Sequence, residues 1–556
     1  MIKSIFISII LLLTVFFAAA QNVDKTDILH IKTQFDTEYN LTDANFEEIF
    51  LISESDTLAT IYSYKNAFVI ISNKKQLPPI KSYSLENSFP KKELYKKETG
   101  ISFEEIIIDD YLHFLKNTNK SSKGNSFKNE NENEWQRILS EGIKETKQQY
   151  GPWLNNIYGQ VNCKNENGYT VNVTNYYTPS NYAAGCVAIT FTSLLQYHNW
   201  PRIGVGSHTY TDNYGSTKGS HSVNYEKKYY NWSLILDEYH TKATTSRERS
   251  ELGNLTYHCA VAIDMDFEYN GSTSNINRIP AAANKYFRYT AKHLKKSASN
   301  FWSSIDQNLK DSLPVQFAIY TSAGAGHAIV CDGLKPSTKY YHLNMGWWGT
   351  SNAWYKIQDG FNAGGYSNIT AAVVDMIPNP EMATPKLDFD NEAVDVNWYY
   401  PQSVKVEAFE LQVKVGIANY VTINDSIKAT SYKYKYKNTE IHTFKVRAKV
   451  NGKWIDNSYS NYKSINIKSE LSTALPEELK VYPTVCTNVL NIESKYLKGG
   501  KIEIYNTSGQ LVFETNVSSD FSSSKYTLNT NFLRNGLYIL RVSNNDYSES
   551  KHIVKI

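Results

Sequence analysis

The stretch that decides the fold is Asn181-Tyr182-Ala183-Ala184-Gly185-Cys186-Val187-Ala188, in which small residues lead into a cysteine. Apolar residues then recur at helical spacing and predict an amphipathic helix from Val187 to His198. Trp200-Pro201 ends this helix, because proline cannot continue it. Cys186 therefore stands at a helix start, where the dipole and unpaired N–H groups favour a thiolate and lower the pKa of the thiol. This setting is that of a nucleophile.

A thiolate nucleophile needs a base, and His327 is the best candidate among the 12 histidines. The segment Ala323-Gly324-Ala325-Gly326 delivers it to the start of an apolar strand, where small neighbours leave the imidazole accessible. It follows Cys186 by about 140 residues, a spacing similar to the roughly 130–150 residues between the cysteine and histidine of papain-type peptidases. Taken alone, each of the two residues is explained equally well as a buried core residue.

Two further polar residues complete the predicted site. Asn344 lies among aromatic residues and is predicted to accept a hydrogen bond from the imidazole of His327. Gln160 lies upstream of Cys186, and its side-chain amide is predicted to form an oxyanion hole with the Cys186 N–H. The order Gln, Cys, His, Asn along the chain is that of papain-like peptidases.

These motifs resemble the streptopain family of papain-like cysteine peptidases. The matching segments, spread over residues 151–378, are Ala184-Gly185-Cys186-Val187-Ala188, Gln196-Tyr197-His198-Asn199-Trp200-Pro201, Tyr230-Asn231-Trp232, Ala262-Ile263-Asp264-Met265-Asp266, Gly326-His327-Ala328 and His342-Leu343-Asn344. The resemblance implies an α+β, two-lobed papain-like fold. It also implies Cys186 as nucleophile, His327 as general base, Gln160 in the oxyanion hole and Asn344 as the orienting residue.

The chain departs from the family after Asn344. Where the family commonly has Asn-Trp-Gly-Trp-Gly-Gly, this chain has Asn344-Met345-Gly346-Trp347-Trp348-Gly349. Small residues beside a nucleophile and a base let the backbone approach a substrate. Gly185 and Gly326 are therefore predicted to line the substrate cleft, and Trp347 is predicted to line it with them.

The 556 residues correspond to about three or four domains. Residues 1–20 have a lysine, an apolar run and a small-residue cleavage site, and predict a secretory signal peptide. Residues 21–116 are similar to the inhibitory pro-domain of streptopain-type zymogens, with a buried strand at 67–72 and a helix at 104–116. Residues 117–134 have one Phe and no other large apolar side chain, so they are predicted to be an unpacked activation linker.

Residues 135–380 are the predicted peptidase domain, and two β-rich segments follow it. Alternating apolar residues in 384–468 predict a β-sandwich that resembles a fibronectin type III domain. Residues 475–556 resemble the sorting domain of the type IX secretion system, on Val481-Tyr482-Pro483, Ile504-Tyr505-Asn506 and Asn535-Gly536-Leu537-Tyr538-Ile539. The predicted location is the exterior or the cell surface.

Composition excludes several classes of protein. Lys and Arg total 58 against 55 Asp and Glu, a net charge of +3, which is too balanced for a nucleic-acid partner. Five cysteines in 556 residues exclude a disulfide scaffold. No zincin or Walker motif is present, so no metal or cofactor is expected. His258-Cys259 and Cys331 lie in apolar runs and are interpreted as core residues.

The combined prediction is a secreted cysteine endopeptidase made as a zymogen. Its predicted partners are protein or peptide substrates, its own pro-domain as inhibitor, and the type IX secretion machinery. A non-enzymatic surface adhesin with a degenerate peptidase domain is the leading alternative, favoured by Met345 and Trp348. A transglutaminase or amidase would use the same thiol chemistry, and only the family resemblance separates it from a peptidase.

Overall fold

The computed structural model describes residues 22–53, 56–90, 107–108, 111–112, 114–115, 122–144, 148–212, 218–320, 324, 326–357, 368–389, 391–455, 462–468, 479–494, 496–521, 523, 525–544 and 547–556. The predicted signal peptide and most of the predicted helix at 104–116 lie outside these ranges. None of the helices within them combines the length and the apolarity that a bilayer span requires.

The architecture is α+β, and the six α-helices named below all lie before residue 311. The α-helices are α1 (Lys25–Glu38), α2 (Ser122–Glu141), α3 (Cys186–His198), α4 (Ser246–Ala262), α5 (Ile279–Phe287) and α6 (Phe301–Lys310). The strands up to residue 378 are β1 (Phe46–Ser53), β2 (Asp56–Tyr64), β3 (Phe68–Ser72), β4 (Ile80–Ser84), β5 (Cys163–Lys164), β6 (Thr170–Val171), β7 (Ser207–Asp212), β8 (Gly219–Asn224), β9 (Tyr289–Lys295), β10 (Val315–Tyr320), β11 (Gly326–Lys335), β12 (Tyr340–Asn344), β13 (Ala353–Lys356) and β14 (Asn368–Pro378).

Ten of these strands form one sheet, in the order β1-β2-β3-β4-β13-β12-β11-β10-β14-β9. Strand β4 pairs antiparallel with β13, with Tyr83 opposite Trp354, so the N-terminal strands continue the sheet that carries His327. The predicted buried strand at 67–72 is confirmed as β3, all of whose residues are buried.

Helix α2 overturns the prediction that residues 117–134 form an unpacked linker. Residues 122–134 belong to α2, and Trp135, the first residue of the predicted peptidase domain, lies inside the same helix. Asn131, Trp135 and Ile138 are buried on one face, and the Trp135 indole donates to Leu77 O at 2.9 Å. The polar composition of this segment did not predict a buried face. Asn131 is buried because its side chain donates a 2.8 Å hydrogen bond to Gln76 O, and not through apolar contact.

Helix α3 confirms the predicted helix and begins one residue earlier, at Cys186. The prediction of a single apolar face understates its burial. The helix is buried on almost every side, including Thr190 and Thr192. It packs against α4 and β11, which places its first residue next to the strand of His327. Cys259 and Cys331 are fully buried, as predicted.

The chain divides into two compact units, each described by itself. The first comprises residues 1–381, 400–407 and 447–460, and the second 382–399, 408–446 and 461–556. The first unit thus takes in two short segments of the predicted 384–468 sandwich. One of them reaches α3, where Ser403 Oγ lies 2.8 Å from His198 Nδ1.

Strands make up most of the remaining chain. They are β15 (Glu381–Met382), β16 (Lys386–Asp388), β17 (Ala393–Tyr399), β18 (Ala408–Val415), β19 (Val421–Ile427), β20 (Ser431–Lys435), β21 (Ile441–Val450), β22 (Lys453–Trp454), β23 (Tyr462–Asn466), β24 (Lys480–Tyr482), β25 (Val485–Cys486), β26 (Val489–Glu493), β27 (Lys501–Asn506), β28 (Leu511–Asn516), β29 (Lys525–Asn529), β30 (Gly536–Ser543) and β31 (Ser548–Lys555). The predicted alternation is present in β17, where Val394, Val396 and Trp398 are buried and Trp398 packs against Phe409. Cys486 is fully buried, as its core interpretation requires.

Candidate active site

Gly185 shapes the backbone that presents Cys186. It has φ of 86°, a conformation that side chains disfavour, and it caps α3. A Cβ at this position would lie 2.7 Å from Met265 Sδ and 3.0 Å from Ser272 O. The hydroxyl of Ser272 also donates to Ala183 O at 2.5 Å. The backbone before the cysteine therefore has room for glycine alone, and Ser272 lies beside it.

The thiol of Cys186 is half-buried at the first residue of α3. Burial raises its pKa, while the backbone N–H groups of Ala328, Val187 and Cys186 itself lower it, with burial the larger effect. The prediction of a lowered pKa is therefore wrong for this form of the chain. The helix start supplies the expected N–H groups, but the low polarity around the sulfur outweighs them.

His327 is the second residue of β11, and its main-chain neighbour Ala328 contacts the Cys186 thiol. Its imidazole Nε2 lies 3.0 Å from Met345 O. Because a carbonyl only accepts, this contact needs a proton on Nε2 and leaves Nδ1 as the basic nitrogen. The ring also stacks on Trp347, with centroids 5.0 Å apart. Burial lowers the pKa of His327 to about 4, against a smaller opposite effect of the Met345 carbonyl.

Asn344 does not have the contacts predicted for it. Its Nδ2 donates to Asn156 O at 2.8 Å, and its Oδ1 accepts from Gly346 N at 3.1 Å. Asn344 ends β12 opposite Val330, three residues along β11 from His327. The chain turns after Asn344 and brings Met345 O to the imidazole instead. The acceptor for His327 is thus a main-chain carbonyl, which has no signature in the sequence.

Gln160 lies beside the nucleophile loop, because its main-chain carbonyl accepts from Ala184 N at 2.8 Å. The preceding Gly159 is covered by Trp348. A Cβ on Gly159 would lie 2.3 Å from Trp348 Nε1, and Trp348 N donates to Tyr158 O at 3.3 Å. The departure at Trp348 therefore provides a side chain that packs on the segment carrying Gln160.

The three predicted cleft residues lie at different depths. Gly185 is in the loop before Cys186, and Gly326 begins β11 as an exposed residue. Trp347 is 4% exposed and is covered by the His327 ring. Trp347 therefore packs against the face of the imidazole and is almost fully shielded from solvent.

Four contributors to this site were missed by the sequence reasoning. They are the main-chain groups of Ala328 and Met345 and the buried side chains of Asn156 and Asn352. Asn156 Nδ2 donates to Ser193 O at 3.0 Å and to Gln196 Oε1 at 2.7 Å, which connects the strand end at Asn344 to α3. A buried asparagine outside any motif gives no signal until its partners are known.

Residues 158–355 match the Peptidase C10 family. The chain carries a Peptidase C10 domain. This domain makes the protein a cysteine-type peptidase, and the matched range contains Gln160, Cys186, His327 and Asn344. Residues 480–556 match a secretion system C-terminal sorting domain, which assigns the protein to type IX secretion and to the cell surface or exterior.

Two proteins of known name are similar to this chain over about half of its length. Streptopain of Streptococcus pyogenes is 26% identical over 342 residues, which are 56% of this chain and 78% of streptopain. The thiol protease/hemagglutinin PrtT of Porphyromonas gingivalis is 26% identical over 279 residues, which are 47% of this chain and 31% of PrtT.

Solved structures related to the Peptidase C10 domain include two from Prevotella intermedia. A prointerpain A fragment has a TM-score of 0.44 and 18% identity, covering 60% of this chain and 99% of the fragment. Active interpain A cysteine protease has a TM-score of 0.36 and 24% identity, covering 41% of this chain and 95% of that chain.

Proposed function

We propose that the protein is a secreted cysteine endopeptidase made as a zymogen, with Cys186 as nucleophile and His327 as base. One observation carries the proposal. Cys186 begins α3, this helix packs against β11, and His327 is the second residue of β11. The backbone N–H of Ala328, the residue after His327, lowers the pKa of the thiol against the larger effect of burial. A helix start and a strand start from distant parts of the chain thus lie on elements that pack together, which supports the pairing of this thiol with this imidazole.

The proposed reaction begins with transfer of the Cys186 thiol proton to Nδ1 of His327. Nε2 keeps its proton, and its hydrogen bond to Met345 O keeps the ring in this orientation. The thiolate attacks the scissile carbonyl carbon, and the oxyanion is stabilised by the Cys186 N–H and the Gln160 side chain. His327 gives its proton to the leaving amine. It then takes a proton from the water that hydrolyses the thioester.

The protonation state of the site supports latency of the full-length chain. Burial favours the neutral thiol of Cys186 and holds the pKa of His327 at about 4, so near neutral pH neither group carries a charge. A reactive thiolate–imidazolium pair needs the opposite shifts. We therefore propose that removal of the N-terminal segment opens the site to water and allows the pair to form.

The contacts of the N-terminal segment with the Peptidase C10 domain support its role as inhibitor. Beyond the pairing of β4 with β13, Asn87 Nδ2 donates to Asn352 O at 3.4 Å. Lys356 forms an ion pair with Glu134 of α2. The Asn87 contact reaches Asn352, at the end of the loop that begins with Met345, and the other contacts are made to β13.

The packing of α2 moves the proposed activation site. A peptidase binds its substrate in an extended form, which a buried helix does not offer. Glu141 ends α2, and Tyr150 begins the pairing with Leu334 through hydrogen bonds of 2.9 and 2.8 Å. We place the cleavage between Glu141 and Tyr150. Lys144, Gln148 and Gln149 are exposed in this interval.

The test is casein hydrolysis by the purified chain with and without an irreversible thiol-peptidase inhibitor. We expect inhibition, no detectable hydrolysis by Cys186→Ala, and activity within about twofold of wild type for the control Cys259→Ala, whose thiol is fully buried. N-terminal sequencing of the active form should begin between residues 142 and 150. Hydrolysis by Cys186→Ala would refute the nucleophile, and full activity without cleavage would refute latency.

A further inference from the structure

We infer that Asn352 is a positioning residue of the peptidase reaction, holding the loop that orients both the base and the oxyanion segment. The inference rests on the function proposed above. The loop runs from Met345 to Asn352, between the end of β12 and the start of β13. No motif in the sequence singles out Asn352.

The loop is closed by the Asn352 side chain. Asn352 is 4% exposed, and its Oδ1 accepts from Met345 N at 3.0 Å. Its own N–H donates to Gly349 O at 3.3 Å, and Thr350 N donates to Trp347 O at 3.0 Å. Met345 is fully buried just past the last residue of β12, where the strand ladder has ended. Its N–H therefore depends on a side chain for an acceptor.

The first residues of the loop contact the imidazole of His327. Met345 O lies 3.0 Å from the imidazole, and the Trp347 ring stacks on it at an interplanar angle of 19°. The Asn352 hydrogen bond is made by the N–H of Met345, whose carbonyl contacts His327. A shift of Met345 would therefore move the acceptor that holds the imidazole in its orientation.

The same loop also holds the oxyanion segment. Trp348 N donates to Tyr158 O, and the Trp348 indole covers Gly159, the residue before Gln160. The backbone of Trp348 has φ of 54°, a conformation uncommon for a side chain of this size. Such a conformation persists where neighbouring contacts fix it, and the closed loop provides those contacts. One hydrogen bond thus supports two parts of the site.

The experiment compares Asn352→Leu, which removes the acceptor, with Asn352→Asp, which keeps an oxygen acceptor for Met345 N. Both are measured as processed enzyme, with active sites counted by an irreversible thiol inhibitor. We expect Asn352→Leu to lower kcat about a hundredfold with KM within about threefold, since small misplacement of catalytic groups has effects of this size. Asn352→Asp should keep kcat within about fivefold of wild type.

The pH profile separates positioning from simple stability. Without the Met345 carbonyl on Nε2, the imidazolium is less stabilised. The alkaline limb of kcat/KM should therefore move to lower pH in Asn352→Leu and not in Asn352→Asp. If the Leu variant does not fold, Asn352→Ala removes the same acceptor without adding volume.

Asn308 offers a matched control. It is also 4% exposed, and its Oδ1 accepts from the main-chain N of Asp375 at 2.7 Å. Asn308→Leu should lower the melting temperature and leave kcat per active site and the pH limbs unchanged. Equal kcat losses in Asn308→Leu and Asn352→Leu, or unmoved limbs in Asn352→Leu, would overturn the inference. Labelling of Cys186 by the inhibitor in all these variants keeps that result distinct from failure of the nucleophile assignment.

Discussion

Two cysteine–histidine pairs of this protein have the same residue types and different surroundings. Cys186 begins α3 half-buried, and three backbone N–H groups lower the pKa of its thiol against the effect of burial. Cys259 lies within α4, fully buried, and burial raises the pKa of its thiol well above the usual value. His327 contacts a main-chain carbonyl, whereas His258 Nδ1 lies 2.8 Å from the Tyr230 hydroxyl.

The difference shows that position on a helix, more than residue type, decides which backbone groups surround a thiol. The first residue of a helix has unpaired N–H groups, whereas a residue in its interior has its N–H in the helical ladder. His258 and Cys259 are adjacent in sequence, yet both only fill the core. Cys186 and His327 are far apart in sequence, and the packing of α3 on β11 brings the elements that carry them together.

The histidines provide the largest expected contrast. His327→Ala removes the proton carrier, so kcat should fall about a thousandfold, within the range of general acid–base effects. His258→Gln should keep kcat per active site within about twofold. Turnover of a fluorogenic peptide, normalised by inhibitor titration, measures both. An equal loss in the two variants would contradict the assignment of His327.

The backbone before the nucleophile gives the next largest effect. Gly185→Ala places a Cβ 2.7 Å from Met265 Sδ and 3.0 Å from Ser272 O, so the cysteine backbone must shift and kcat should fall about a hundredfold. Gly168→Ala is the control, since Gly168 also has a positive φ, of 76°, with open space around it. It should lower stability by about 1 kcal/mol and leave kcat unchanged. A Gly185→Ala enzyme of normal kcat would show that the loop can relax.

Acid should weaken the fold through the buried histidines. Burial holds the pKa of His258 at about 3, from an ordinary value of 6.5. Between these values the unfolded chain binds a proton that the folded chain does not, so this stability is complete above about pH 6.5 and is lost as pH falls toward 3. In wild type and in His258→Gln the free energy of unfolding should fall from pH 7 to pH 4. The fall should be smaller in His258→Gln, by about 2–3 kcal/mol. Equal drops in urea titrations would show that His258 is not the titrating group.

The smallest effect is expected at the C terminus. Deletion of residues 475–556 should leave casein turnover of the processed enzyme within about twofold of wild type, because no predicted site residue lies there. In the native host the truncated protein should accumulate in the periplasm, since the sorting domain is missing. Fractionation with a casein assay on each fraction tests both outcomes. Normal delivery to the medium would contradict the sorting role.

Local patterns predicted much of the fold. The helix after Cys186, the strand at 67–72 and the alternating strands near Trp398 are all present, because their burial follows directly from the spacing of apolar residues. Helix α2 was missed for the same reason, since its buried Asn131 looks polar in the sequence. The spacing of apolar residues does not predict which polar side chains are buried through hydrogen bonds.

The sequence by itself determined the residue types of the proposed site, their order along the chain and the helix after Cys186. These features depend on side chains and on near neighbours. Only the tertiary structure decided that Met345 O, and not Asn344, contacts His327, and that burial outweighs the helix start at Cys186. Main-chain carbonyls are the same in every residue, and desolvation depends on all the surrounding atoms, so neither is encoded at a single position.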